Sequence, residues 1–269
     1  MRSLSACLYS AITLMVFASP AWSQEQKPAT EQRSATEQKL AAPAKVSAER
    51  YTSRREHDPN GIGKFYMGRE IARVMGHQGI SWLERPEREE EERLTLLMEA
   101  LKLKPGLEVA DIGAGSGVIS VMIAKRIGNG QLFAVDIQQE MLDALEEKCR
   151  MQNVTNVIPV LGTTQSTRLA PGSIDLAVMV DVYHEFDFPY EMLQAISASL
   201  RPDGRIAFVE YRKEDPTVPI KLVHKMSEAQ VRKEAEQPEL GLTWKETVST
   251  LPRQHVIIFT KSGPAAVNR

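Results

Sequence analysis

Three closely spaced glycines form the most informative chemical motif of the chain. The segment DIGAGSG, residues 111–117, places Gly113, Gly115 and Gly117 at alternate positions, where they allow a sharp turn and a close approach of the backbone to a ligand. The dinucleotide-binding motif G-x-G-x-x-G requires its third glycine at the position that Val118 occupies here. A phosphate-binding loop would end in Gly-Lys-Ser/Thr, which this segment lacks. The spacing therefore indicates a nucleoside-containing ligand without the usual pyrophosphate spacing.

An aspartate ends the next strand-like run and strengthens this interpretation. Asp136 lies 19 residues beyond Gly117, at the end of the run QLFAVDI, and an acid in this position can accept hydrogen bonds from both hydroxyls of a ribose. An aspartate that only caps the following helix would give the same pattern. The glycine loop and Asp136 belong to one strand–loop–helix–strand unit, which brings them to the same edge of the sheet. Together they predict a nucleoside-binding site.

A histidine and a glutamate follow the fourth strand-like run. His184 and Glu185 come shortly after Asp181, at the carboxyl edge where open α/β sheets bind ligands. Because an unperturbed histidine titrates near neutrality, we expect His184 to be the general base, with Glu185 as its partner or alternative. The other interpretation is that His184 caps the next helix or braces the loop. His184, His224 and Glu210 could in principle assemble a metal site, but no helical or loop spacing links them, so we expect no metal.

Alternating strand and helix patterns position these residues. Strands are predicted over 107–112, 131–137, 156–162, 173–181 and 205–211, and helices over 117–127, 139–151 and 189–200. A preceding helix should open at Pro86, with its apolar side chains over 94–101. The alternation indicates an α/β fold with a parallel sheet and right-handed crossovers. The runs 242–250 and 255–261 are joined by only four residues, so they are expected to pair as an antiparallel hairpin.

Four sequence segments carry a resemblance to a known family. VADIGAGSG, AVDIQQEML, DLAVMVDVYHEF and LRPDGRIAFVE, all within residues 86–263, resemble the class I S-adenosylmethionine-dependent methyltransferases. The resemblance implies an open, mostly parallel seven-stranded sheet with helices on both faces. It also implies that the last strand is inserted antiparallel next to the fifth.

The resemblance also assigns S-adenosyl-L-methionine as the cofactor and suggests the residues that bind it. It places Asp111, Gly113, Gly115 and Gly117 around the amino acid part, Asp136 on the ribose and Ile137 beside the adenine. Thr163 stands where many relatives carry an aspartate that contacts the adenine amino group, and Asp181 lies beside the transferred methyl group. Residues 62–76 correspond to a segment that often covers the cofactor, with Tyr66 and Met67 as candidate contacts; a simple docking helix is the alternative.

The N-terminal residues have the pattern of an export signal. Residues 1–23 combine Arg2, a short apolar run and small residues before a cut after Ser23, which predicts a secretory signal peptide and a periplasmic protein. An uncleaved anchor or a misplaced start codon is the alternative, and the protein is cytoplasmic if the leader is not used. Residues 24–50 are predicted to be a disordered linker. They precede a lid or docking segment over 51–85, the methyltransferase domain over 86–263 and a tail over 264–269.

Composition narrows the range of partners. The chain has 33 basic and 35 acidic residues and a net charge of −2, which argues against binding to nucleic acid or to an anionic membrane. Its two cysteines exclude a clustered thiolate zinc site. We therefore expect a small-molecule methyl acceptor, no nucleic acid and no membrane span after cleavage. Two other functions compete: a noncatalytic S-adenosylmethionine-binding protein, and a nicotinamide-dependent oxidoreductase, which the glycine spacing disfavours.

Overall fold

The computed structural model describes residues 50–262. The predicted signal peptide, all but the last residue of the predicted linker and the predicted tail lie outside the described residues.

A small antiparallel sheet comes first. Its strands are β1 (Tyr51–Ser53), β2 (Gly61–Tyr66) and β3 (Arg69–Ala72), paired in that order. Met67 and Gly68 both have positive φ, at 49° and 98°, and form the two-residue connection between β2 and β3, as in a tight hairpin turn. The docking-helix interpretation of residues 62–76 is therefore wrong for this stretch, because the hairpin turn redirects the chain before a helical turn can form.

Three short helices connect this sheet to the main one. They are α1 (Ile80–Leu83), α2 (Arg88–Glu92) and α3 (Leu94–Ala100). The single helix predicted from Pro86 is interrupted at Arg93, whose φ of 55° lies in the left-handed region. Glu92, just before the break, is buried and accepts hydrogen bonds from Arg88 and from the hydroxyl of Tyr211. Fixing Glu92 in the interior orients α2 separately from α3.

The main sheet and its helices follow in alternation. The elements are β4 (Val109–Ile112), α4 (Val118–Ile127), β5 (Leu132–Asp136), α5 (Gln139–Met151), β6 (Val157–Leu161), β7 (Ile174–Val180), α6 (Pro189–Ser199), β8 (Leu200–Tyr211), α7 (Glu228–Ala235), β9 (Leu242–Val248) and β10 (Gln254–Lys261). The strand order is β6-β5-β4-β7-β8-β10-β9. β10 pairs antiparallel with both β8 and β9, and the other pairs are parallel. The predicted fold class, including the inserted antiparallel strand, is confirmed.

The central strands are apolar on both faces because helices cover both faces. Met179 and Phe208 pack with Leu193 of α6 on one face. Val178 packs with Leu97 of α3 and Ile123 of α4 on the other. This two-sided core fixes the carboxyl ends of β4, β5 and β7 in one row, which is where the predicted site residues lie. Among residues 50–262, no helix is long and apolar enough to cross a membrane.

Candidate active site

A cavity lies at the carboxyl ends of β4, β5 and β7. It holds about 840 Å³ of empty space, part of which is open to solvent. Its wall includes six of the eight predicted cofactor-binding residues and one of the two predicted catalytic residues: Gly113, Gly115, Asp136, Ile137, Thr163, Asp181 and Glu185. The topology brings them together because parallel strands deliver their loops to the same edge of the sheet.

The glycine loop turns sharply from β4 into α4. Gly113, Gly115 and Gly117 have φ values of 75°, 54° and 83°, a left-handed conformation that is costly for residues with a Cβ atom. A Cβ at Gly113 would overlap the side chain of Val182, and one at Gly115 would lie 2.9 Å from Leu83. The left-handed backbone at each of these three alternate positions explains why the sequence has glycine at all of them.

Asp136 connects this loop to the end of β5. One carboxylate oxygen accepts a hydrogen bond from the backbone N–H of Gly115 and the other from that of Gln138, both at 2.9 Å. Asp136 is 6% exposed, and its burial raises the pKa of its carboxyl group. Each carboxylate oxygen has a second acceptor site, so Asp136 can shape the loop and still accept hydrogen bonds from a ligand.

Ile137 provides an apolar surface next to Asp136. Its side chain is 40% exposed although it is large and apolar, and it lines the cavity. Thr163 also lines the cavity, and its hydroxyl accepts a hydrogen bond from the backbone N–H of Gln165. This part of the wall thus offers an apolar face flanked by a carboxylate and a hydroxyl.

Asp181 contributes an acidic group whose hydrogen bonding is incomplete. Its backbone φ is 51°, and its Oδ2 accepts a hydrogen bond from Gln254 at 2.6 Å. Its Oδ1 is buried and has no hydrogen-bond partner in the described structure. Burial, together with the nearby carboxylates of Glu92 and Glu210, raises the pKa of Asp181 well above its usual value. Buried polar atoms without a hydrogen-bond partner are rare in folded proteins, so Asp181 is an unusual group in this wall.

Two predicted cofactor residues lie outside this cavity. Asp111 lines a smaller neighbouring cavity with Arg88 and Ser116, and its Oδ2 accepts a hydrogen bond from Ser120 at 2.6 Å. Burial raises the pKa of Asp111 to about 6. Gly117 precedes α4 and faces Leu145 of α5. Both residues therefore support the loop from behind.

Glu185 lines the cavity, whereas its neighbour His184 does not. The Oε2 atom of Glu185 accepts a hydrogen bond from the backbone N–H of Met75. His184 is 2% exposed and lies behind it, with Nδ1 2.6 Å from Glu210 and Nε2 3.2 Å from His224. Burial lowers the pKa of His184 to about 4 and raises that of Glu185 to about 7. Because both nitrogens of His184 have partners, Glu185 is the member of this pair that a substrate can contact.

The segment after β3 supplies wall residues that the sequence did not single out. Val74 and Met75 line the cavity, whereas Tyr66 and Met67 do not. Gln138 holds the segment in place by donating to the carbonyl of Met75 and accepting from the backbone N–H of His77, both at 2.9 Å. The only sequence signal for Gln138 is its position two residues after Asp136.

The chain is similar to known methyltransferases in both sequence and fold. Residues 109–204 match the family described as a methyltransferase domain. The fold is similar to that of a S-adenosylmethionine-dependent methyltransferase from Aquifex aeolicus, with a TM-score of 0.65 and 22% identity over 70% of this chain and 100% of that one.

Two curated relatives each match slightly less than half of the chain. One is demethylmenaquinone methyltransferase of Lactobacillus johnsonii, 29% identical over 45% of this chain and 49% of that protein. The other is (S)-coclaurine N-methyltransferase of Thalictrum flavum, 28% identical over 44% of this chain and 32% of that protein. The matches thus span 32% and 49% of the length of these relatives.

These findings show the class I methyltransferase fold and a match to a methyltransferase domain over residues 109–204, and they indicate S-adenosylmethionine as the cofactor. The cavity fits this cofactor, which contains a ribose, an adenine and a positively charged sulfonium. Asp136 offers hydrogen-bond acceptors for the ribose hydroxyl groups, and Ile137 offers an exposed apolar face for the adenine.

Proposed function

We propose that this protein transfers the methyl group of S-adenosylmethionine to a small-molecule acceptor. The observation that carries the proposal is the single cavity that joins the glycine loop and Asp136 at one end to Asp181 and Glu185 at the other. One end of the cavity can bind a nucleoside, and the other end carries ionisable groups. This arrangement suits a reaction in which a bound cofactor is attacked by a nucleophile. Holding the two reactants in line can supply much of the rate enhancement, because the sulfonium methyl group is already activated.

In this proposal the residues divide between cofactor and acceptor. Asp136 accepts hydrogen bonds from the ribose hydroxyls, while Ile137 and Thr163 contact the adenine. The backbone of the glycine loop approaches the amino acid part, with Asp111 and Gly117 supporting it from outside the cavity. Glu185 acts at the acceptor, and His184 acts through Glu185 as a positioning residue.

The cavity wall favours an acceptor with apolar surface. Met75, Phe186 and Met192 line it together with Asp187 and Glu185, a mainly apolar lining with a few ionisable groups, as small-molecule sites commonly have. The names of the two curated relatives also point to small-molecule acceptors.

The test measures cofactor binding and methyl transfer separately. Calorimetry with the full chain should detect S-adenosylmethionine, and a radiolabelled methyl group should move to at least one member of a panel of thiols, phenols and amines. Asp136→Ala should abolish both signals, whereas the exposed Asp143→Ala on α5 should keep both. Binding without transfer to any acceptor would favour the noncatalytic binding protein, and the absence of binding would refute the proposal.

Export through residues 1–23 is a separate part of the proposal. Intact-mass spectrometry of the periplasmic fraction should find a chain that begins at Gln24. A protein retained in the cytosol with Met1 would refute export and leave the enzymatic proposal unaffected.

A further inference from the structure

Two histidines and a glutamate converge behind the cavity. His184 and Glu185 belong to the turn Tyr183–Glu185, and His224 belongs to the turn Leu222–His224. His184 Nε2 lies 3.2 Å from His224 Nδ1 and 3.9 Å from Glu185 Oε1, and the last two atoms are 3.8 Å apart. Three atoms that can each donate a lone pair thus form a compact triangle.

The dimensions of this triangle suit a metal ion. Nitrogen and carboxylate ligands lie about 2.0–2.2 Å from a zinc ion, so neighbouring ligands of a tetrahedral site are about 3.4 Å apart. One of the three distances, 3.2 Å, is slightly shorter than this value, and the other two, 3.8 and 3.9 Å, are longer, so shifts of up to about half an ångström would accommodate an ion.

A second carboxylate holds His184 in the orientation that a metal ligand needs. Glu210 Oε2 lies 2.6 Å from His184 Nδ1, and Glu210 Oε1 accepts the backbone N–H of Tyr183 at 3.0 Å. Glu210 is fully buried. A carboxylate on the far nitrogen directs the lone pair of Nε2 toward the ion, an arrangement found repeatedly around metal-binding histidines.

The surrounding charges are compatible with a cation. A buried cation beside the triangle is Arg69, which donates to the carbonyl of His184. Its guanidinium is also bound by both oxygens of Glu234, at 2.9 and 3.0 Å. Arg69 is thus neutralised by Glu234, which leaves the carboxylates of Glu185 and Glu210 to balance a divalent ion.

From these observations we propose that His184, Glu185 and His224 bind a divalent first-row transition-metal ion, with Glu210 positioning His184. Two imidazoles and one carboxylate favour zinc or iron(II) over magnesium or calcium, which prefer oxygen ligands. A set of three protein ligands leaves a coordination position open for water or a substrate.

An open coordination position would allow the ion to take part in catalysis. This catalytic role rests on the proposed methyltransferase function. Glu185 belongs both to the triangle and to the cavity wall, so an ion held by the triangle would lie behind the part of the wall that Glu185 forms, and an acceptor oxygen or sulfur would reach it there. Coordination lowers the pKa of an O–H or S–H group, and its proton leaves to solvent. The freed lone pair attacks the methyl carbon as the bond to the sulfonium sulfur breaks, which leaves a neutral thioether.

The test titrates metal into the full chain purified without a histidine tag and stripped with a chelator. Cobalt(II) serves as a spectroscopic probe of the ligand set, and zinc should displace it. His224→Ala should weaken binding by at least about 10-fold, and Glu210→Gln should weaken it by about 10- to 100-fold. His57→Ala, which removes an exposed histidine outside the triangle, should bind cobalt as the unchanged chain does.

Cofactor affinity is measured on the same samples, so that a misfolded variant is recognised and the two proposals remain distinguishable. No cobalt binding by the unchanged chain, or equal binding by the well-folded His224→Ala variant, would overturn the metal site. In that case His184 and His224 share a simple hydrogen bond, and the methyltransferase proposal is unaffected. Metal binding without cofactor binding would overturn the proposed function instead.

Discussion

Replacing Gly113 with alanine should separate two penalties that the glycine loop avoids. The φ of 75° costs a residue with a Cβ atom about 1–2 kcal/mol. The new methyl group would also overlap Val182, and such overpacking costs about 1–3 kcal/mol. Gly113→Ala should therefore lower the free energy of unfolding by about 2–5 kcal/mol.

Gly172→Ala is the matched control for the conformational penalty. Gly172 has a similar φ of 61°, but a Cβ there would meet no atom within 4 Å. Only the backbone cost of about 1–2 kcal/mol remains. Since a domain of this size loses about 2–4 °C of melting temperature per kcal/mol, the control should lose about 2–8 °C and Gly113→Ala about 4–20 °C.

A second substitution tests the contact itself. Val182→Ala makes room for the new methyl group, so the double variant Gly113→Ala/Val182→Ala should be more stable than the sum of the single effects by about 1–3 kcal/mol. Denaturant unfolding of the four chains measures this coupling. The prediction is refuted if Gly113→Ala and Gly172→Ala lose equal free energy of unfolding and Gly113→Ala shows no coupling to Val182→Ala. That result would mean that a Cβ atom at Gly113 does not overlap Val182.

Three further predictions concern buried carboxylates. Asp136→Asn should lower cofactor affinity by about 10- to 150-fold in calorimetry, because a charged hydrogen bond contributes about 1.5–3 kcal/mol; an unchanged affinity would argue against the ribose assignment. Glu234→Gln leaves Arg69 buried without its counter-charge and should destabilise the fold by about 3–5 kcal/mol in denaturant unfolding, whereas a loss below 1 kcal/mol would mean that solvent reaches the pair. Asp111 has a folded-state pKa of about 6, above its unfolded value, so the folded state binds the extra proton and the stabilisation from Asp111 is lost as pH rises from about 4 to 6. This decline should amount to about 2 kcal/mol between pH 4 and pH 7.5 in the unchanged chain and should be absent from Asp111→Asn. Plots of unfolding free energy against pH that stay parallel for the two chains would contradict the prediction.

Local patterns made the main sheet predictable. The glycine loop and Asp136 are separated by only one helix, so their spacing in the sequence is enough to predict that they lie close together. The same reasoning placed Asp181 correctly at the end of β7, beside the cavity. These residues depend mainly on their own strand–loop–helix unit, which the sequence encodes within about 30 residues.

Other features depend on contacts between distant segments. His184 and His224 are 40 residues apart and meet only because two turns pack together, so no spacing rule could have joined them. The break at Arg93 follows from the burial of Glu92 against Tyr211, a contact across 119 residues. Asp111 has the expected position in sequence, but its bond to Ser120 directs it to the smaller cavity.

The inserted antiparallel strand has a consequence for synthesis of the chain. β10 lies between β8 and β9 and is the last strand in the described part, so the ribosome makes β9 before the strand that it pairs with. Until Gln254–Lys261 has emerged, β8 has an open edge and β9 has no partner in the sheet. Open edges promote pairing between chains, so translational pausing within β10, or a stop codon before it, should cause aggregation out of proportion to the few residues involved.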